Sequence, residues 1–258
     1  MYNVLAAFMF FTRLPFWRIK VLDKEYFKNV VNYWPYAGII TGGLGALVML
    51  ACSYVFPVII AITLGVLTRV LITGALHEDG LADFFDGFGG GTSKEKILSI
   101  MKDSHIGSYG VLALIFYFTI IVGVLASFPV PMAATLFLCG DILCKFIASN
   151  IVNVLPYARA EEESKNKLIY NFIPDNIIAV NLLFVTLLFG VCYKAVLPVS
   201  LSYAVFVPIF VFIALVSYIK TKIGGYTGDC CGAVFLICEI SFYIASLALV
   251  RGYLYLML

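Results

Sequence analysis

The chain has 258 residues, 62% of them hydrophobic and only 12% charged, with a mean hydropathy of +1.02. That apolar share is far above that of ordinary globular domains and excludes a water-soluble one, while a net charge of +2 gives no reason to expect a nucleic-acid partner. Apolar runs long enough to cross a bilayer, about 20 residues each, cover nearly the whole length, so the sequence predicts one all-α, polytopic membrane helix bundle over residues 1–258.

The opening MYNVLAAFMFF has no basic residue ahead of its apolar ones, unlike a signal peptide, and is expected to lie at the membrane surface or dip into it. Seven predicted spans follow, at 34–55, 57–76, 106–127, 130–153, 177–197, 199–219 and 233–252. Pro57 and the Pro129–Pro131 turn join two pairs as hairpins, since proline can open a helix without losing a needed N–H. Gly38, Gly42, Gly43 and Gly45 in the first span read as a surface for close backbone packing in lipid. Charge sets the expected orientation. Arg13, Arg18, Lys20, Lys24, Lys28, Lys94, Lys96, Lys102, Arg159, Lys165, Lys167, Lys220 and Lys222 fall on one side, against Lys194 and Arg251 on the other. The positive-inside rule makes the first side cytoplasmic, in a cell membrane crossed several times. The seven cysteines show no metal-ligand spacing and read as free thiols.

Within this apolar chain HEDGLADFFDG, His77 to Gly87, places Glu78, Asp79, Asp83 and Asp86 within nine positions. If the second helix runs on past His77, the three aspartates fall at i, i+4 and i+7 on one face, with Glu78 about a quarter-turn away. Stacked like charges destabilise a helix, and a cation reverses that penalty. Carboxylates without His or Cys partners suit a hard ion such as Mg²⁺, which keeps waters and substrate phosphates as further ligands. The plain alternative is an acidic helix end exposed to water, although Gly80, Ala82 and Gly87 leave the acidic face sterically open.

Two more polar clusters share that side. MKDSHIGSYG, Met101 to Gly110, brings Lys102, Asp103, Ser104 and His105 to the start of the third span. KTKIGGYTGDCCGA, Lys220 to Ala233, combines two lysines, a glycine-rich turn, Thr227 and Asp229 at the start of the last. Glycine-rich backbone ahead of a helix suits an anion, phosphate above all, though glycines there also serve as plain turns. Acidic metal ligands and a basic anion cradle on one membrane face are the parts that phosphoryl transfer needs.

Phe11-Thr12-Arg13-Leu14-Pro15, the HEDGLAD block with Asp86-Gly87, Met101-Lys102-Asp103-Ser104 with Ile106-Gly107, Pro156-Tyr157-Ala158-Arg159, and Gly224 to Asp229 with Gly232-Ala233 occur in that order. The series resembles the cobalamin synthase (adenosylcobinamide-GDP ribazoletransferase) family over essentially the whole chain, the HEDGLAD and GGYTGD blocks being its most specific parts. The resemblance implies a Mg²⁺-dependent enzyme that joins adenosylcobinamide-GDP to α-ribazole or its 5′-phosphate and releases GMP. It implies a site at the inner face of the lipid bilayer, and it leaves open a homo-oligomer or a complex with other late cobamide-assembly enzymes. Carried over, Asp79, Asp83, Asp86 and Asp229 are metal ligands, and Lys102, Lys222 and Arg159, with Arg13, are phosphate contacts. Asp103, Ser104, Gly225 and Thr227 fall in substrate-binding motifs, and His77 either bonds a phosphate or caps its helix. For catalysis, Asp86 at the far end of the acidic row is the expected base, and Lys102 and Lys222 meet the charge on departing GMP.

The chain departs from the family pattern at His105 and at Lys145, each standing where arginine is usual; lysine keeps the charge but loses the bidentate fork. Lys145 lies four residues beyond Asp141 and can pair with it, and Arg69, about 12 Å deeper than His77, is placed to neutralise Asp141 or Glu239. These intramembrane charges also permit a transporter or proton pathway, against which the acids cluster at one surface and no inverted repeat is visible. A CDP-alcohol phosphotransferase is the other alternative, but its multi-Asp signature carries Ala-Arg where Ala82-Asp83 stand.

Overall fold

The computed structural model describes residues 2–159 and 168–256. An apolar helix α1 (Tyr2–Phe11) and a single turn α2 (Lys24–Phe27) lead into α3 (Trp34–Cys52). Then come α4 (Val58–Thr73), α5 (Leu76–Gly90), the short α6 (Lys94–Lys102), α7 (Ser108–Leu125), α8 (Val130–Ser149) and a further turn α9 (Ile151–Val154). The chain closes with α10 (Asp175–Ala195), α11 (Phe206–Ile223) and α12 (Gly228–Leu256). Among the described residues six helical stretches are long and apolar enough to cross a membrane, and the bent pair α4–α5 makes a seventh if counted as one span. The fold is the expected polytopic helix bundle; the only β pairing among the described residues is an isolated bridge between Tyr157 and Tyr226.

The second span departs from expectation. It does not run straight through His77 but ends at Thr73, and α5 leaves at 89° to α4. The cause is two consecutive left-handed residues, Gly74 (φ 66°) and Ala75 (φ 59°). Their N–H groups fold back onto Leu71 O and Val70 O, which closes α4 in a Schellman turn. The Thr12-Arg13 segment locks the corner: Arg13 N–H donates to Ile72 O at 2.7 Å, and a Cβ on Gly74 would run into the Arg13 guanidinium. The acidic row is therefore on its own helix, turned out of the α4 axis.

Glycines set the packing inside the bundle. A Cβ on Gly42 would stand 2.9 Å from Asp141 Cβ and one on Gly38 3.1 Å from Ile142 Cα, so α3 lies directly against α8. Gly45 does the same against Gly65 O of α4, at 2.9 Å, whereas Gly43 has only Leu138 at 4.0 Å. Close approach in lipid rewards such small residues. It also brings a set of charges together. Arg69 on α4 bonds Asp141 on α8 (3.3 Å), Glu239 on α12 and the Tyr117 phenol on α7. Lys145 bonds Asp141 at 2.6 Å and Thr41 on α3 at 2.5 Å, and the Tyr243 hydroxyl donates to Glu239 at 2.8 Å. Arg69, Asp141, Lys145 and Glu239 are all 0% exposed. Two positive and two negative groups thus pair inside the membrane region, and Lys145 serves here as Asp141's partner. All seven cysteines are free.

Candidate active site

Two acid motifs far apart in sequence meet because two glycines let their helices touch. A Cβ on Gly80 would stand 3.0 Å from Asp229 O and 3.1 Å from Asp229 Cα; one on Gly232 would stand 3.2 Å from His77 Cα and O. Across this contact Asp79 of α5 and Asp229 in the first turn of α12 line the same pocket, a cavity of about 150 Å³. Arg159, His77, Thr227 and Gly228 line it too, and Phe10, Phe11, Trp34, Tyr157 and Tyr170 complete its wall.

The glycine-rich block GGYTGD is used residue by residue. Gly224 (φ 72°) takes the left-handed position that ends α11. Gly225 lies so close to the 156–158 segment that a Cβ would come within 3.1 Å of Ala158 N and Cα. Tyr226 bridges to that segment: its N–H donates to Pro156 O at 2.9 Å and its O accepts from Ala158 N–H at 2.8 Å. Thr227 Oγ1 accepts the Cys230 N–H at 3.3 Å and so caps α12. Through these contacts Gly225 packs closely and Thr227 caps α12, and Thr227 also lines the pocket. Their effect is to set Arg159 beside the start of α12. One Arg159 N–H donates to Leu98 O at 2.8 Å, and a guanidinium has five such donors, so the fork can also face an anion.

Asp86 is engaged by α7. Both its oxygens accept backbone N–H groups at the start of α7, from Gly107 at 2.7 Å and Gly110 at 2.8 Å. The side chain is buried and does not line the pocket. It holds the first turn of α7 rather than standing open at the end of an acidic row. Of the two readings of His77 the cap fails, because Ala75 occupies the N-cap of α5, and His77 lines the pocket. Its ring is packed 5.4 Å from Trp34 and 5.0 Å from Phe235, with Nε2 lacking a hydrogen-bond partner. Glu78 points into the bundle, 3% exposed, again with no partner for its oxygens.

The other sequence candidates lie outside the pocket lining. Asp83, one turn beyond Asp79, is half-buried; Lys102, Lys222, Arg13, Asp103 and Ser104 are exposed. Asp103 Oδ1 accepts the His105 N–H at 3.0 Å and lies 2.7 Å from His105 Nδ1. Those hydrogen bonds hold the Asp103 carboxyl below its usual range. Burial pushes the phenols of Tyr170, which lines the pocket, and Tyr226 upward. Lys165 and Lys167 lie outside the described residues.

Hard-ion chemistry fits what is present. Among the described residues no three of His, Cys, Asp and Glu form a ready-made metal cage. Two carboxylates from different helices lining one pocket are the number Mg²⁺ commonly takes from protein, leaving places for water and phosphate.

A family model described as cobalamin-5-phosphate synthase matches residues 3–247. The chain belongs to the cobalamin-5-phosphate synthase family. Among curated relatives, the protein named adenosylcobinamide-GDP ribazoletransferase from Shewanella frigidimarina is 36% identical over 247 residues, covering 94% of this chain and 93% of that one. Its namesakes from Shewanella amazonensis (35%, covering 95% and 94%) and Shewanella oneidensis (33%, covering 94% and 92%) are similar over nearly the same length. No solved structure matches this cobalamin-5-phosphate synthase family member. The family motifs pointed to Asp79, Asp229 and Arg159 but not to most of the aromatic wall. Phe11 and Tyr157 sit inside motif blocks; Trp34 and Tyr170 do not, and only the fold brings them to the pocket.

Proposed function

We propose that this chain transfers the adenosylcobinamide-phosphate group of adenosylcobinamide-GDP to α-ribazole or its 5′-phosphate, with Mg²⁺, on the cytoplasmic side of the cell membrane. The observation that carries the reading is that Asp79, Asp229 and Arg159 line one pocket, in a chain whose relatives bear that activity in their names. A hydroxyl oxygen of the ribazole forms a new P–O bond to the phosphorus next to cobinamide, the bridging P–O bond breaks, GMP departs, and the hydroxyl proton is released.

Asp79 and Asp229 would hold the Mg²⁺, with Asp83 in support one turn away; the ion supplies charge neutralisation of the diphosphate. Arg159 orients a phosphate oxygen by its planar fork. Lys102 and Lys222, exposed on the same side, attract the anionic substrate rather than touch its reacting atoms. Asp86 has no part in proton transfer; its duty is to α7. The intramembrane charges pair with one another, as a fixed clamp between helices requires, which favours the enzyme over the transporter. Purified protein in detergent, given adenosylcobinamide-GDP, α-ribazole and Mg²⁺, should release GMP only when all three are present. GMP formed without α-ribazole would make it a hydrolase instead.

A further inference from the structure

A second hollow, about 270 Å³, lies where α5, α7 and α12 meet and shares no residue with the carboxylate pocket. α7 supplies Tyr109, Leu112, Ala113, Phe116, Tyr117 and Ile120, at steps of three and four, so one face of that helix lines it for three turns. α5 adds Leu81 and Phe85, and α12 adds Ile237 and Ile240. Leu81 and Tyr117 are buried at its floor, whereas Phe85, Tyr109, Leu112 and Phe116 are exposed along its open side. That open side belongs to a helix long and apolar enough to cross a membrane, and the neighbouring Val111 and Ile115 are exposed too. In a bilayer it faces lipid.

Only the two tyrosines among its lining residues carry a polar side-chain atom. The Tyr117 hydroxyl is already engaged with Arg69 and with Glu239, the latter at 3.1 Å. Tyr109 stands in the first turn of α7, where a phenol suits the boundary between lipid and water. The rest of the lining offers nothing to a sugar or a phosphate, and burying such groups without partners costs free energy. A hydrocarbon chain loses no hydrogen bond on entering. Its length fits as well: from Tyr109 to Ile120 the lined face runs about 16 Å, and the hydrocarbon of one leaflet is about 15 Å deep.

We infer that this groove holds one acyl chain of a phospholipid, drawn from the leaflet at the N-terminal end of α7. Seated there, the chain packs against Leu81 and Phe85 and braces α5, the helix that carries Asp79. The groove belongs to lipid and to neither substrate, and its assignment stands apart from the transfer reaction proposed above.

The probe is phosphatidylglycerol with a diazirine on one acyl chain, incorporated with the full chain into nanodiscs. Transfer to detergent strips loosely held lipid before irradiation and peptide mapping. The wild-type chain should retain the probe and be labelled at Leu81 or Phe85 and at Ile237 or Ile240, not at Val111 or Ile115. Ala113→Phe fills the groove and should lower retention at least about tenfold, the equivalent of about two buried methylenes. Ile240→Phe enters from α12 and should do the same, so a folding defect in one variant does not decide the matter. Ile115→Phe adds the same ring outside the groove and should keep wild-type retention. Each variant is first shown to unfold at the wild-type temperature in lipid-free detergent. Labels confined to Val111 and Ile115, no probe retained by the wild-type chain, or equal loss in all three variants would overturn the assignment. A dimer in detergent that Ala113→Phe dissociates would give the groove to a second copy and overturn it too.

Discussion

Asp86 on α5 holds Gly110 on α7: one carboxylate oxygen accepts the Gly110 N–H at 2.8 Å while the other accepts that of Gly107 at 2.7 Å. A buried carboxylate with both oxygens committed to the first turn of another helix ties the acidic helix to a membrane span. Asp86→Ala should therefore lower stability by about 1–3 kcal/mol, the range for a lost cap with charge-assisted bonds. Asp86→Asn, which keeps one acceptor, should cost less. Thermal unfolding in detergent measures both. The Mg²⁺ concentration for half activity should stay the same, and a large shift would make Asp86 a ligand.

The pocket carboxylates should behave oppositely. Asp79→Ala and Asp229→Ala should each abolish GMP release while unfolding at the wild-type temperature in the absence of Mg²⁺. Mg²⁺ should raise the wild-type midpoint by mass action and leave the two variants unmoved. Asp83→Asn should keep some activity at a higher Mg²⁺ requirement. A wild-type Mg²⁺ response in either alanine variant would remove that residue from the ion.

Inside the bundle Arg69 faces two carboxylates, so Arg69→Met should leave uncompensated charge from Asp141 and Glu239. Breaking a buried pair in this way costs about 3–5 kcal/mol. Arg69→Met with Glu239→Gln should recover part of it, because one of the stranded charges is gone. Equal loss in the single and double variants would show that the pair is not coupled. Unfolding in detergent, read by tryptophan emission, provides the comparison.

At the helix corner, Gly74→Ala should destabilise by more than the about 1–2 kcal/mol that a left-handed conformation costs an L-residue, since the new methyl also meets Arg13. Ala75→Gly, already left-handed without glycine, should change stability by less than about 1 kcal/mol. If both substitutions cost the same, the contact with Arg13 contributes nothing.

Orientation can be read independently. Reporter fusions at Lys94, Lys165 and Lys222 should all report the cytoplasm, as the distribution of lysine and arginine requires. One outside reading would reverse the side assigned to the pocket.

Hydropathy was enough to give the bundle and, to within one broken helix, its spans. The break was missed because Gly74-Ala75 looks like ordinary apolar helix; alanine at φ 59° is imposed by the surrounding contacts, not by its own preference. Asp79 and Asp229 could be found from motif chemistry. The engagement of Asp86 by α7 is not legible in the sequence for a physical reason: helical spacing shows which side chains share a face, but not whether a neighbouring helix presents free N–H groups to that face. The pairing of Asp141 with Lys145 was legible at i, i+4 on one helix, and Arg69 as their neighbour followed from its depth. Trp34 and Tyr170 come from segments with no special pattern, and only long-range packing makes them neighbours of His77 and Phe10.

The corner at Gly74 also fixes the direction of the acidic helix. α4 has 16 residues and rises about 24 Å, less than the about 30 Å of a bilayer's hydrocarbon layer. The chain turns there, so the acidic helix leaves the α4 axis at 89° rather than continuing it. Asp79 and Asp229 share one pocket where α5 meets α12. The spacing of the two pocket carboxylates is then set by glycine contacts between α5 and α12 and does not depend on the length of α4.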